Sequence, residues 1–270
     1  MTNAITRREL MAGAIAAMHM SGLALFQEKV KPKTFIKSVR VQTAADLKAM
    51  EDFYRANMGF VTESRTKSEL CLIAGGSRLK FTKVDVEGEG PLTHFAFNIP
   101  QNMIRSALEY SQKRFEVNVP SPSECADDYP KEIYHFHHWN AHSVFFWDPG
   151  FNLVEFISRH DLDNSASGAF GPKHIHCISE IAFGAKDAAA HDYLRSELSM
   201  PTYPRGAPAG TLGDQNGLLL FFNVGRTWGG TSGPRKTLQT HKTEVEIAGT
   251  YAKTVLVPGY PFTVSVKPHN

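Results

Sequence analysis

The chain has almost no net charge: 29 basic side chains are set against 27 acidic ones. No run of five or more Lys and Arg stands out, so nucleic acid is a poor candidate for a partner. Cysteine is scarce. Cys71, Cys125 and Cys177 stand apart, odd in number and without a CxxC. That argues against a disulfide framework or a zinc knuckle, and buried free thiols are expected instead. Past the first thirty residues no segment is apolar enough to span a bilayer. Charged residues are also few, 21% against 42% apolar, a balance that supports a real core and excludes disorder of the whole chain.

The N-terminus differs in kind. Arg7-Arg8 precedes a mildly apolar stretch, Met11 to Phe26, rich in Ala, Gly and Met and holding His19 as its one ionisable residue. A cationic start followed by an apolar segment is the layout of an export signal. The paired arginines are similar to the twin-arginine class of bacterial signal. Residues 1–30 are therefore expected to be an export signal and linker, and the mature protein to be exported to the periplasm or medium. Contact with a membrane is expected only through that transient signal. The alternative is an N-terminal helix docked on the body.

The remainder repeats weakly. Three times a short alternating strand runs into a short helix. The first copy is Phe35–Gln42 followed by a helix over 45–58, with Leu47, Met50, Tyr54 and Met58 on one face and Gly59 as its stop. The second is Leu92–Ile99 with Ile104, Ala107, Leu108 and Ser111 on the helix face; the third is Ile178–Ala185 with Ala190, Tyr193, Leu194 and Leu198. Hairpin-like strands follow each helix, and residues 243–266 read as further strands, a truncated fourth unit. This order predicts an α+β fold: tandem βαβββ modules forming cup-shaped mixed sheets, with helices on the outer faces. Residues 31–160 are expected to hold modules one and two as a pair, and 174–270 the third plus the truncated fourth. Residues 116–134, 200–213 and 229–240 read as loops, and 159–174 as a linker.

Alternation assigns faces. Ser38, Arg40 and Gln42 share one face against Val39 and Val41; His94, Ala96 and Asn98 oppose Phe95 and Phe97; Glu180, Ala182 and Gly184 oppose Ile181 and Phe183. Each opening strand has an apolar face for its helix and a polar or small face for a cavity. A turn centred on residues 148–152 sets Trp147 opposite Leu153, Phe145 opposite Glu155 and Ser143 opposite Ile157. Phe145 and Ser143 then share the face of Glu155, and His142 points away.

The segment 142–156, HSVFFWDPGFNLVEF, with the helix end at Phe53-Tyr54…Met58-Gly59-Phe60 and the strand Leu92-Thr93-His94-Phe95, resembles the vicinal-oxygen-chelate family of glyoxalases, bleomycin-resistance proteins and extradiol dioxygenases. Phe151 stands where that family's turn usually has Gly. The resemblance implies paired modules around a cup holding a divalent metal (Fe, Mn, Zn or Ni), bound by a residue of an opening strand and a Glu of a closing strand. Those positions are His94 and Glu155 in module two, with Glu155 also the proton-shuttling residue. They correspond to Ser38 and Lys80 in module one and to Glu180 and Leu220 in module three. Ser38, Arg40, Lys80, Trp139, His142 and Phe145 are the expected substrate-binding residues.

Plainer readings stand beside these. A lone histidine in a strand is more often a hydrogen-bonded core residue, and a buried Glu155 wants a partner that could be Lys80 as well as a metal. Glu180 could cap or pair with a base. The histidines of 134–142 match no zinc spacing and read as a loop over the cup mouth. Three functions follow: a metal-dependent lyase, isomerase or dioxygenase acting on a small substrate with neighbouring oxygens; a metal-free binding protein using the same cup; or a degenerate structural module. The expected partner is a small molecule, with homodimerisation left open.

Overall fold

The structure, a computed structural model, describes residues 34–87, 90–125, 128–203, 210–228 and 235–268. The expected export signal lies outside the described residues. Among the described residues no helix is long and apolar enough to cross a membrane.

Four strand-rich modules succeed one another. The first is β1 (Phe35–Thr43), α1 (Leu47–Met58), β2 (Val61–Arg65), β3 (Glu69–Ala74) and β4 (Ser77–Lys83). The second is β5 (His94–Ile99), α2 (Ile104–Gln112), β6 (Tyr134–Phe136), β7 (Ala141–Trp147) and β8 (Leu153–Arg159). The third comprises β9 (Cys177–Ala185), α3 (Ala189–Leu198), β10 (Thr211–Asp214) and β11 (Gly217–Asn223). A two-stranded ribbon, β12 (Thr227–Trp228) and β13 (Lys236–Thr237), leads to the last module, β14 (Thr243–Gly249), β15 (Lys253–Leu256) and β16 (Phe262–Pro268).

The helices form where their apolar stripes predict. Asp46 caps α1 by accepting the Ala49 N–H at 2.9 Å, and Gly59 ends it at φ +66°, a left-handed conformation that suits glycine. The buried residues of α1 include Leu47, Met50, Tyr54 and Met58, and those of α2 are Ile104, Ala107, Leu108 and Ser111. These helices cover the apolar faces of the sheets, and one continuous core joins Val39, Phe95, Phe97, Ile181 and Phe183 to them.

The strands make two seven-stranded mixed sheets, β15-β16-β14-β1-β4-β3-β2 and β10-β11-β9-β5-β8-β7-β6. Within a module the opening strand lies parallel to the closing one, as β5 does to β8. Modules meet through antiparallel opening strands, β1 with β14 and β5 with β9. This corrects the expected pairing of modules one and two: module two pairs with three, and module one with the truncated fourth. After β8 the chain turns back over residues 160–176, so β9 enters antiparallel beside β5 and sets Ile181 against Phe95. A second correction is β10, which begins within the segment 200–213 read as loop; a four-residue strand containing Gly213 gives too short an alternation to detect.

Candidate metal centre

The β7–β8 hairpin pairs in the register its turn predicts: Trp147 with Leu153, Phe145 with Glu155 and Ser143 with Ile157. Asp148 organises the turn, accepting the N–H groups of Gly150 and Asn152, each at 2.9 Å. Tyr54 of α1 donates to the same carboxylate at 2.7 Å, tying the first module's helix to this turn. Burial pushes the Asp148 carboxyl up to about 6 despite these donors.

Three strands then bring three donors together. His94 begins β5, Glu155 lies mid-β8 and Glu180 mid-β9, with exposures of 5%, 2% and 1%. His94 Nε2 is 3.2 Å from Glu155 Oε2 and 3.6 Å from Glu180 Oε2. One donor atom from each residue lies within 4.8 Å of the others. The other atoms of the three side chains are already occupied. His94 Nδ1 lies 2.9 Å from the Leu153 carbonyl, so it carries the proton when the ring is neutral and Nε2 keeps its lone pair. Ser143 donates to Glu155 Oε1, and Arg159 to Glu180 Oε1. Arg159 is fully buried and is itself held by Asn98, whose Oδ1 accepts from its Nε at 3.1 Å.

Electrostatics follow from this enclosure. Burial alone would lower the pKa of His94, but hydrogen bonds and charge from Glu155 and Glu180 hold it at about 9. Burial, then the charge of Glu180, pushes Glu155 up. With no metal, an imidazolium and Arg159 balance two carboxylates. A divalent ion would take the place of the His94 proton. The donor set fits such an ion: one nitrogen lone pair and two oxygens converge, each backed by a second hydrogen bond that fixes its orientation.

A cavity of about 230 Å³ opens above this group. Phe145, Trp139, Tyr134, Phe136, Phe222 and Trp228 line it with aromatic surface, and Arg226 adds a cation. The Trp228 ring lies 5.1 Å from that of His94. Leu220, in the position matching Glu155 in module three, also lines it and offers no donor.

Of the residues expected at the site, His94, Glu155, Phe145 and Trp139 are gathered here. Ser38, Arg40 and Lys80 are not: they lie on the other sheet, because module one pairs with the fourth module. Lys80 therefore does not neutralise Glu155. His142 points away from the cavity, as the hairpin register requires, and stacks on His135 and Tyr129. The histidine-rich segment does lie over the cup mouth, but not as a plain loop. Part of it is β6, whose alternation turns Tyr134 and Phe136, not His135, to the cavity. Glu180, the residue of module three that matches the ligand position of His94, joins the group and also pairs with a base, while Arg159 enters the site unforeseen. Arg159 lies four residues beyond Glu155 on one strand, hence on the same face, which is the signal that could have found it.

No family model matches the chain, and no curated protein matches its sequence. Solved structures do. A proposed dioxygenase from Bacillus subtilis subsp. subtilis str. 168 aligns over 88% of this chain and 86% of its own, at 12% identity and a TM-score of 0.53. Glyoxalase I from Zea mays aligns over 87% and 92%, at 12% identity and a TM-score of 0.50. The likeness is one of fold: the chain has the vicinal-oxygen-chelate fold, and its buried His94, Glu155 and Glu180 could hold a metal.

Proposed function

We propose that this protein is a metal-dependent enzyme of the vicinal-oxygen-chelate type, acting as a lyase or isomerase on a small substrate with neighbouring oxygens. The observation that carries the reading is the convergence of His94 Nε2 and the Oε2 atoms of Glu155 and Glu180 beneath a cavity of about 230 Å³. A divalent ion there would supply Lewis acidity to the substrate oxygens. The protein's own residues supply the rest. Leu220 lines the cavity without offering a donor, so substrate oxygens would meet a bound ion from that side. The aromatic walls exclude water and receive the apolar part of the substrate. Glu155 is the proton carrier: burial and the charge of Glu180 raise the proton affinity of its carboxyl, while Glu180 is held by the guanidinium of Arg159. One histidine with two carboxylates departs from the two-histidine, one-carboxylate set of iron oxygenases; that favours proton transfer over dioxygen chemistry.

A second reading has its own support. His94 and Arg159 already balance Glu155 and Glu180, so a metal-free binding protein is chemically consistent. Metal content per chain decides between them. The enzyme reading expects wild type to hold one ion more than His94→Ala or Glu155→Ala; wild type that holds no more ion than these variants when offered Mn²⁺, Fe²⁺, Zn²⁺ or Ni²⁺ would establish the binder. Export is part of the proposal, resting on Arg7 and Arg8. Replacing both with Lys should strand precursor in the cytoplasm, and unchanged export would refute it.

A further inference from the structure

The histidines that turn away from the cavity form a group of their own. His135 of β6 pairs with His142 of β7 across the ladder, and their rings stack with centroids 4.3 Å apart. The ring of His137 lies 3.6 Å from that of His135. His160, one residue past β8, completes the group: its Nε2 is 2.7 Å from His142 Nδ1. Alternation along β7 puts His142 on the opposite face from Ser143 and Phe145, so this patch is separate from the one around His94.

His142 is under-satisfied. His142 is buried, yet its Nε2 has no hydrogen-bond partner. A single proton is shared in the His142–His160 contact. Burial, then the neighbouring His135, His160 and His137 and the more distant Arg105, pushes His142 down to about 4. At neutral pH its ring therefore offers a lone pair rather than a charge.

We propose that His142 and His160, joined by His135 or His137, form a second metal site that takes a borderline transition ion such as Zn²⁺, Ni²⁺ or Cu²⁺. Neutral imidazoles suit these ions. Tetrahedral zinc, with bonds of roughly 2.0–2.1 Å, sets two nitrogens roughly 3.3 Å apart. The 2.7 Å pair has to open only slightly for an ion to replace the proton between its nitrogens. The third ligand comes by rotation of a ring: among the described residues, the group at His94 is the one whose donors already lie within 4.8 Å of one another. His137 is exposed, so its ring has room to turn, and His135 already stacks on His142.

The two sites separate in one experiment. Untagged protein is dialysed against Zn²⁺, freed of loose ion, and its zinc per chain measured in wild type, His160→Gln, the double variant His135→Gln/His137→Ala, and His94→Gln. His160→Gln should hold one zinc fewer than wild type, as should the double variant, while His94→Gln keeps the ion those variants lose. The double variant changes only exposed and half-buried rings, so it carries the test if His160→Gln fails to fold. A zinc content unchanged in the histidine-patch variants, or a wild type whose only zinc is lost with His94, would overturn the second site. Neither result depends on whether the His94 site is an enzyme.

Discussion

On the sheet built around β5 and β9 the polar face carries His94, Glu155, Glu180 and Arg159, none more than 5% exposed. On the sheet built around β1 and β14 the corresponding face carries Ser38, Arg40, Lys80 and Glu246, all partly exposed. The two sheets share one strand order up to the missing outer strand of each truncated module. What separates them is cover. Aromatic side chains from β6, the turn after it and the β12 ribbon roof the first cup, among them Trp139 and Trp228. The second sheet's face stays wet, and its charges pair loosely: Arg40 serves both Glu69 and Glu244, and Lys267 meets Glu246 at 2.6 Å. Screened pairs contribute little and tolerate drift in sequence. Desolvated charges demand a specific partner. The enclosed cup is thus the one that constrains its residues, and the one where chemistry can be held.

The largest expected effect tests that contrast directly. Arg159→Leu leaves Glu180 buried without its cation and should cost roughly 3–5 kcal/mol in a urea titration. Arg40→Leu, at an exposed pair on the other sheet, should cost no more than about 1 kcal/mol. Similar costs for both would break the comparison. Divalent metal should recover part of the loss in Arg159→Leu, since an ion bound by Glu155 and Glu180 replaces the missing positive charge.

The next effect is a pH dependence confined to the enclosed cup. His94 titrates at about 9 in the folded protein, against roughly 6.5 when unfolded. A raised histidine value contributes stability that is full below the unfolded value and is lost as pH rises through the folded one. The raised Glu155 carboxyl acts with the same sign. Chelator-treated protein should therefore lose stability from about pH 6.5 to about pH 9, followed by its urea midpoint. His94→Gln should flatten the curve over that window. An unchanged slope in this variant would show that some other group titrates.

How far the sequence foretold this follows from which interactions are local. The β7–β8 register was legible because one turn, residues 148–152, sets every pair that follows it. Helix faces were legible because their periodicity is contained in a dozen residues. His94 and Glu155 belong to one module, so their meeting needed only that module's own strand order. Glu180 belongs to another. Which opening strand lies beside β5 depends on apolar faces that read alike: Val39 and Val41, Phe95 and Phe97, Ile181 and Phe183. Nothing local distinguishes β1 from β9 as the neighbour, so Ser38, Arg40 and Lys80 were assigned to a cavity they do not reach. The roof was legible only in part, through Trp139 and a segment expected over the cup mouth. Tyr134 and Phe136 belong to a three-residue strand within a segment whose histidines dominated its reading.

A smaller effect concerns the hydrogen bonds behind the donors. Ser143→Ala frees Glu155 Oε1 to rotate. Loss of such an outer contact lowers metal affinity by roughly 10–100-fold, measurable by competition with a chromophoric chelator. The same substitution at Ser38, on the other sheet, should leave that affinity unchanged. A shift on Ser38→Ala would mean that the two cups communicate.

The smallest effect lies in the turns that close the two cups. Gly75, between β3 and β4, and Phe151, between β7 and β8, both sit at φ +60°. For Gly75 the residue type is forced twice, since a Cβ there would also lie 2.3 Å from the His176 carbonyl oxygen. Phe151 meets the same backbone demand with a bulky side chain that is 48% exposed and has Lys236 Nζ 4.6 Å from its ring centroid. A left-handed conformation costs a non-glycine residue roughly 1–2 kcal/mol. Glycine returns part of that through the entropy it loses on folding, and the exposed contact with Lys236 adds little in water. Phe151→Gly should therefore stabilise the protein by about 0.5–1 kcal/mol, with the metal site unaltered because Asp148 keeps its hold on the Gly150 and Asn152 amides. Gly75→Ala should destabilise it. If Phe151→Gly instead lowers the urea midpoint, the ring contributes more through its packing over this turn than its backbone strain costs.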